Sequence, residues 1–177
     1  MPRLISLGRI AGLKVSARPS VLVAFLILWI LLTSAFYWLM GFPVEIALAG
    51  GFAGALLHYA TGLWHHISHA LAARKSGFPM AGIVFRWYLA TSRYPSHEGN
   101  LPARTHIQRA LGGPAGSLAL VIALIILALT LVPGGSLLWW LLIFAAADSL
   151  LVFTLGSLLP LGFTDGSTLL YWMSKRD

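Results

Sequence analysis

The chain has 177 residues, of which 58% are hydrophobic and only 10% charged. Soluble domains carry about 25% charged residues, so this composition excludes a water-solvated globule and requires lipid around the chain. The net charge of +7 is clustered at the ends of apolar runs, which reads as membrane topology and not as a nucleic-acid surface, and the absence of cysteine excludes disulfides and thiolate metal sites.

The first apolar run, Val21–Met40, follows a basic stretch but lacks a small-residue cleavage site, so it is expected to be a retained transmembrane helix and not a secretory signal. The second, Val44–Ala73, is long enough to tilt or to extend past the bilayer. A polar stretch from Arg74 to Arg109 follows. Within it Gly82–Thr91 is β-prone and predicts a strand or hairpin, and Ser96–Pro102 is turn-like. The third and fourth spans are Ala110–Val132 and Ser136–Leu159, the latter ending near Pro160. The expected fold is an all-α polytopic membrane protein: four transmembrane helices with a small β-hairpin or strand insertion between helices two and three. Residues 1–177 are expected to form a single membrane domain.

With four spans, all 12 Lys and Arg residues fall on one side, which holds the N-terminus, the 74–109 loop and the C-terminus. Loops 41–43 and 133–135 carry none. The positive-inside rule makes the basic side the cytoplasm, and the expected location is a bacterial plasma membrane. Small residues at Gly50, Gly51, Gly54 and Ala55, and at Gly112, Gly113 and Gly116 around Pro114, allow close helix packing; lipid-facing flexibility is the alternative. Trp139, Trp140, Tyr171 and Trp172 read as interfacial belt residues. His97 and His106 read as solvated, and Arg86 and Arg93 as loop charges.

Span two carries His58, His65, His66 and His69. Ionisable groups inside a membrane segment are costly and suggest function. His65 and His69 share a helix face, about 6 Å apart along the axis, a spacing with which two imidazoles grip one zinc ion. Two satisfied histidines at a bundle interface would look the same. Asp165, beyond Pro160 at the same end of the bundle, is the candidate third ligand; capping a short helix over 166–171 is its alternative role. His66 points about 100° away from His65, which makes joint ligation awkward. His58 lies about 10 Å deeper than His65, at a depth similar to that of Asp148. The two either pair or find separate partners.

His65-His66-Ile67-Ser68-His69, running into Ala70-Leu71-Ala72-Ala73-Arg74, resembles the HExxH helix of site-2 proteases. Leu159-Pro160 through Asp165-Gly166 resembles that family's NxxPxxxxDG motif, Arg109–Leu120 the start of its third core helix, and Leu7–Ser20 the lead into the first helix of its bacterial branch. The resemblance covers nearly the whole chain in order. It implies an intramembrane zinc metalloprotease fold, zinc held by His65, His69 and Asp165, a transmembrane protein as substrate or client, and no appended CBS or PDZ-type domain.

Two positions depart from the pattern. The family's Glu, which takes a proton from the attacking water and later protonates the leaving amine, is His66 here. Its substrate-holding Asn falls on Ser157, and Ser117 lies near another expected Asn. The reading that follows is a zinc-binding, peptidase-deficient relative that sequesters or escorts a membrane partner. An active peptidase with His66 as its base is the first alternative. A metal-ion transporter or haem protein is the second, opposed by histidines confined to one helix and by the lack of an inverted repeat.

Overall fold

The computed structural model describes residues 4–96 and 98–175; the expectations placed on Arg3, His97 and Arg176 fall outside them. Four helices are long and apolar enough to cross a membrane. Helix α1 (Ser20–Ser34) continues as a π-helical turn over Ala35–Leu39. Helix α2 runs over Val44–Lys75 and α3 over Ala103–Leu131. Helix α4 (Leu137–Asp148) widens into a π-helix over Ser149–Gly156. A short fifth helix, α5 (Asp165–Met173), packs on α3.

Helix α2 is the axis of the bundle, and the small residues decide what lies against it. A Cβ at Gly51 would fall 2.6 Å from the Thr33 backbone nitrogen, and one at Gly54 would fall 2.8 Å from a Leu32 methyl. These glycines therefore serve close packing of α1, not flexibility. Helix α1 covers only part of α2, because its first turn lies level with Tyr59: the Tyr59 hydroxyl is 3.3 Å from the Val21 carbonyl. Beyond that level the protecting layer changes from helix to sheet.

The sheet has four strands in the order β1-β2-β3-β4: β1 (Ile5–Ile10), β2 (Leu13–Ala17), β3 (Gly82–Arg86) and β4 (Leu89–Arg93). The insertion expected between helices two and three is the β3–β4 hairpin. The N-terminal hairpin was not anticipated. Its alternation is plain once seen: Leu13, Val15 and Ala17 of β2, with Ile83 and Phe85 of β3, face Ala70 and Ala73 of α2. A tight turn at Ala11–Gly12, both at positive φ, closes it. The β2–β3 ladder is parallel and joins the N-terminal segment to the 74–109 loop. His106 of α3 stacks on Trp172 of α5, with ring centroids 4.0 Å apart and planes 1° apart. N-terminal segment, loop and C-terminal helix thus share one end of the bundle. Trp172 and His106 are thus packed against each other.

Candidate metal centre

Four residues at the centre derive their positions from local backbone requirements. His65 and His69 sit one turn apart on α2, both buried at 4% exposure. Asp165 is the first residue of α5, and its approach depends on Gly166: a Cβ there would overlap the Leu158 carbonyl oxygen, at 1.9 Å. Only glycine lets α5 begin against the end of α4. Gly113 of α3 faces the two imidazoles, where a Cβ would lie 2.2 Å from His69 Nε2 and 2.6 Å from His65 Nε2. The missing side chain leaves room where the ligand atoms converge.

Those atoms form a near-equilateral triangle. His65 Nε2 and His69 Nε2 are 2.9 Å apart, and Asp165 Oδ2 is 3.3 Å from each. His65, His69 and Asp165 are the one group among the described residues whose His, Cys, Asp or Glu ligand atoms converge closely enough to hold a metal ion. Ligands about 2.0–2.2 Å from a tetrahedral zinc lie about 3.3 Å from one another, so the donor set and the spacing fit that ion. Three electron-rich atoms this close require a proton or a metal cation among them.

The outer nitrogens are held as metal ligands usually are. His69 Nδ1–H donates to the Arg109 carbonyl at 2.7 Å; a carbonyl only accepts, so Nε2 of the neutral ring keeps its lone pair. Pro114 loosens this part of α3, having no N–H for the Ala110 carbonyl. His65 Nδ1 lies 3.0 Å from Ser117 Oγ, which is 1% exposed. Burial alone would raise the Asp165 carboxyl, but with a proton on His65 or His69 Nε2, in place of a metal, hydrogen bonding to these rings outweighs it and holds the group at about 2. It is therefore an anion at neutral pH, as a ligand must be.

His66 does not join the triangle. Its Nδ1 is 2.9 Å from Ser92 Oγ on β4, so the ring is turned to the sheet, although its centroid is only 5.7 Å from that of His69. Ser157 is also directed elsewhere: its hydroxyl lies 3.0 and 3.1 Å from the Phe153 and Thr154 carbonyls of its own helix and donates back into it. Deeper in the bundle, His58 meets Asp148, with Phe153 packed against both His58 and His65. Ser92 and the Arg109 carbonyl carry no sequence signal for these roles; Gly113 was marked only as a packing glycine, and Ser117 by its place in the third motif.

No known family profile matches the chain. It is 33% identical over 172 residues to a Mycobacterium tuberculosis protein described as "Putative zinc metalloprotease Rip3", in two strains, with 93% of this chain and 42% of that protein covered. The chain thus spans about two fifths of the length of the curated relatives it matches. Among solved structures, the site-2 protease from Methanocaldococcus jannaschii shares the fold with a TM-score of 0.64 at 18% identity, covering 98% of this chain and 73% of that one.

Proposed function

We propose a function for a chain that is homologous to a zinc metalloprotease, has the site-2 protease fold and so stands in the site-2 protease family: it holds zinc at the membrane and engages transmembrane protein clients, but does not cut them. His65, His69 and Asp165 would hold the ion, with Ser117 and the Arg109 carbonyl fixing the two rings. A zinc ion there would supply Lewis acidity for polarising a peptide carbonyl.

What the centre lacks, among the described residues, is a second carboxylate beside that position. Five acidic residues exist in the chain. Glu98 is engaged by Arg109 at 2.5 and 3.0 Å. Asp148 is engaged by His58 and Thr61. Asp165 is in the ligand triangle, Glu45 sits in the first turn of α2 at the other end of the bundle, and Asp177 lies outside the described residues. No second described carboxylate stands in the ligand group. His66, at the position of the family's Glu, is held by Ser92. The absence of a carboxylate at this position carries the reading: loss of a general base costs about 10²–10⁴ in rate. Ser157, with its hydroxyl returned to its own helix, offers little to hold a substrate strand.

The test is metal analysis of the purified chain, paired with a cleavage assay on a transmembrane substrate. About one zinc per chain without cleavage is expected. Cleavage by the unmodified chain would overturn the deficiency and leave the metal site standing; a chain supplied with zinc that retains none would overturn the site.

A further inference from the structure

The sheet packs one face on α2, and its other face is of a different kind. Strand register places Arg9 and Ser6 of β1 beside Lys14 and Ser16 of β2. Across the parallel ladder, Ser16 is paired with Val84. On the far hairpin, Val84 is paired with Thr91 and Gly82 with Arg93. Alternation along β3 puts Arg86 on this face too. The outer face therefore carries Arg9, Lys14, Arg86 and Arg93 among hydroxyls.

Among the described residues no carboxylate forms an ion pair with these cations. The four strands contain no Asp or Glu, and the acids Glu98, Asp148 and Asp165 are engaged elsewhere. No ion pair reaches Lys14 or Arg93 among the described residues. Between them is a cavity of about 150 Å³, lined by Leu4, Ser6, Lys14, Ser16, Val84 and Arg93. Two cations and two hydroxyls line it, the donor chemistry that a tetrahedral oxyanion takes.

The level of the sheet in the bilayer follows from α1. Ser20 opens that helix, and its hydroxyl accepts from Trp87 N–H at 3.3 Å, at the tip of the β3–β4 hairpin. The span from Ser20 to Leu39 has 20 residues, about 30 Å of helix, which is the full thickness of a hydrocarbon core. The tip, whose Tyr88 carbonyl accepts from His58 beside Asp148 of the fourth span, thus lies at or within the hydrocarbon, and the strands run outward from it toward the headgroup layer. The near end of the sheet agrees with this depth: Leu4 and Ile5, 44% and 41% exposed, lie beside Ala17, next to the start of α1.

We propose that this face binds the phosphate of an anionic phospholipid, with the headgroup seated between Lys14 and Arg93 and hydrogen-bonded by Ser6 and Ser16. The site is independent of the metal centre. The full chain in neutral detergent is titrated with dihexanoylphosphatidylglycerol, dihexanoylphosphatidylcholine and inorganic phosphate, with the heat of binding recorded. Saturable binding of the glycerol lipid is expected, tighter than that of either other probe. Lys14→Gln and Arg93→Gln should each weaken it about fivefold, and the double variant about thirtyfold. Lys75→Gln with Lys175→Gln removes the same charge elsewhere and should change binding by less than about twofold. The single variants retain the test if the double one does not fold. Equal binding of the two lipids, phosphate binding as tight as the anionic lipid, or an equal loss in the control variant would each overturn the proposal.

Discussion

His58 Nδ1 lies 3.0 Å from Asp148 Oδ1, joining α2 to α4 at the point where α4 widens into a π-helix. The second carboxylate oxygen accepts from Thr61 Oγ1 at 2.7 Å. The second ring nitrogen, Nε2–H, donates to the Tyr88 carbonyl at 2.7 Å. One residue on, the Tyr59 hydroxyl donates to the Trp87 carbonyl at 2.8 Å. The pair is thus part of a hydrogen-bonded chain from α4 through α2 to the tip of the β3–β4 hairpin. It satisfies polar groups that would otherwise be costly inside a bilayer. It also ties down the hairpin whose outer strand carries Ser92, the partner of His66.

Removing either partner should be costly. His58→Ala or Asp148→Ala leaves a buried polar group unpaired, worth about 3–5 kcal/mol when the group is charged. The double variant should lose less than the sum, with a coupling of about 1–3 kcal/mol. A double-mutant cycle on unfolding in detergent measures this; additive losses would show that the two residues stabilise the bundle separately.

Gly113 and Ser117 should affect metal binding to different degrees. A Cβ at Gly113 falls at ligand distance from both Nε2 atoms, so Gly113→Ala should abolish zinc retention while α3 remains helical. Ser117→Ala removes a partner of His65 without filling the centre. Its expected cost is about 10–100-fold in zinc affinity. Competition against a chelator of known affinity separates the two effects, and equal losses would mean that Gly113 does not border the ion.

Much of this centre was legible because it depends on helical spacing. His65 and His69 are four residues apart, and helix geometry alone puts them on one face. Asp165 could be aligned because a proline stop and a glycine flank it. The His58–Asp148 pair was open in the sequence, since depth along two helices limits which residues can meet but does not fix rotation about either axis. The N-terminal hairpin was missed because Leu13–Ala17 alternates over only 5 residues beside a dominant apolar run. Its turn, Ala11–Gly12, is not one of the strong hairpin dipeptides, and the strand that joins it to the rest of the sheet, β3, lies far away in sequence. The Ser92–His66 contact was illegible for the same reason: it requires knowing how the sheet lies on α2.

The shared end of the bundle gives the topology a structural basis. With the N-terminal hairpin in one sheet with β3 and β4, and α5 stacked on α3, residue 90 and α5 lie at the same end of the bundle as the N-terminal segment. Reporter fusions after residues 42, 90, 134 and 177 should read outside, inside, outside and inside, with the basic side in the cytoplasm. An external signal at residue 90 would contradict the assignment.

The last prediction concerns the missing base. His66→Glu places a carboxylate one residue after the first ligand, and a working general base is worth about 10²–10⁴ in rate. The structure adds a condition that spacing alone does not give. Ser92 Oγ, which now contacts His66 Nδ1 at 2.9 Å, is also able to donate to the new carboxylate and draw it toward β4. Ser92→Ala should therefore enlarge the gain made by His66→Glu, yet do nothing in the unmodified chain. Ser157→Asn should add less than either, because it improves holding of a substrate strand and not activation of water. Rates on one transmembrane substrate, across the unmodified chain, the single variants and the His66→Glu/Ser92→Ala pair, decide the matter. Robust cleavage by the unmodified chain that is lost in His66→Glu would refute the deficiency and identify His66 as a working base. A gain in His66→Glu that Ser92→Ala raises further would show that the fold retains the machinery and that one side chain, held by one strand residue, withholds the chemistry.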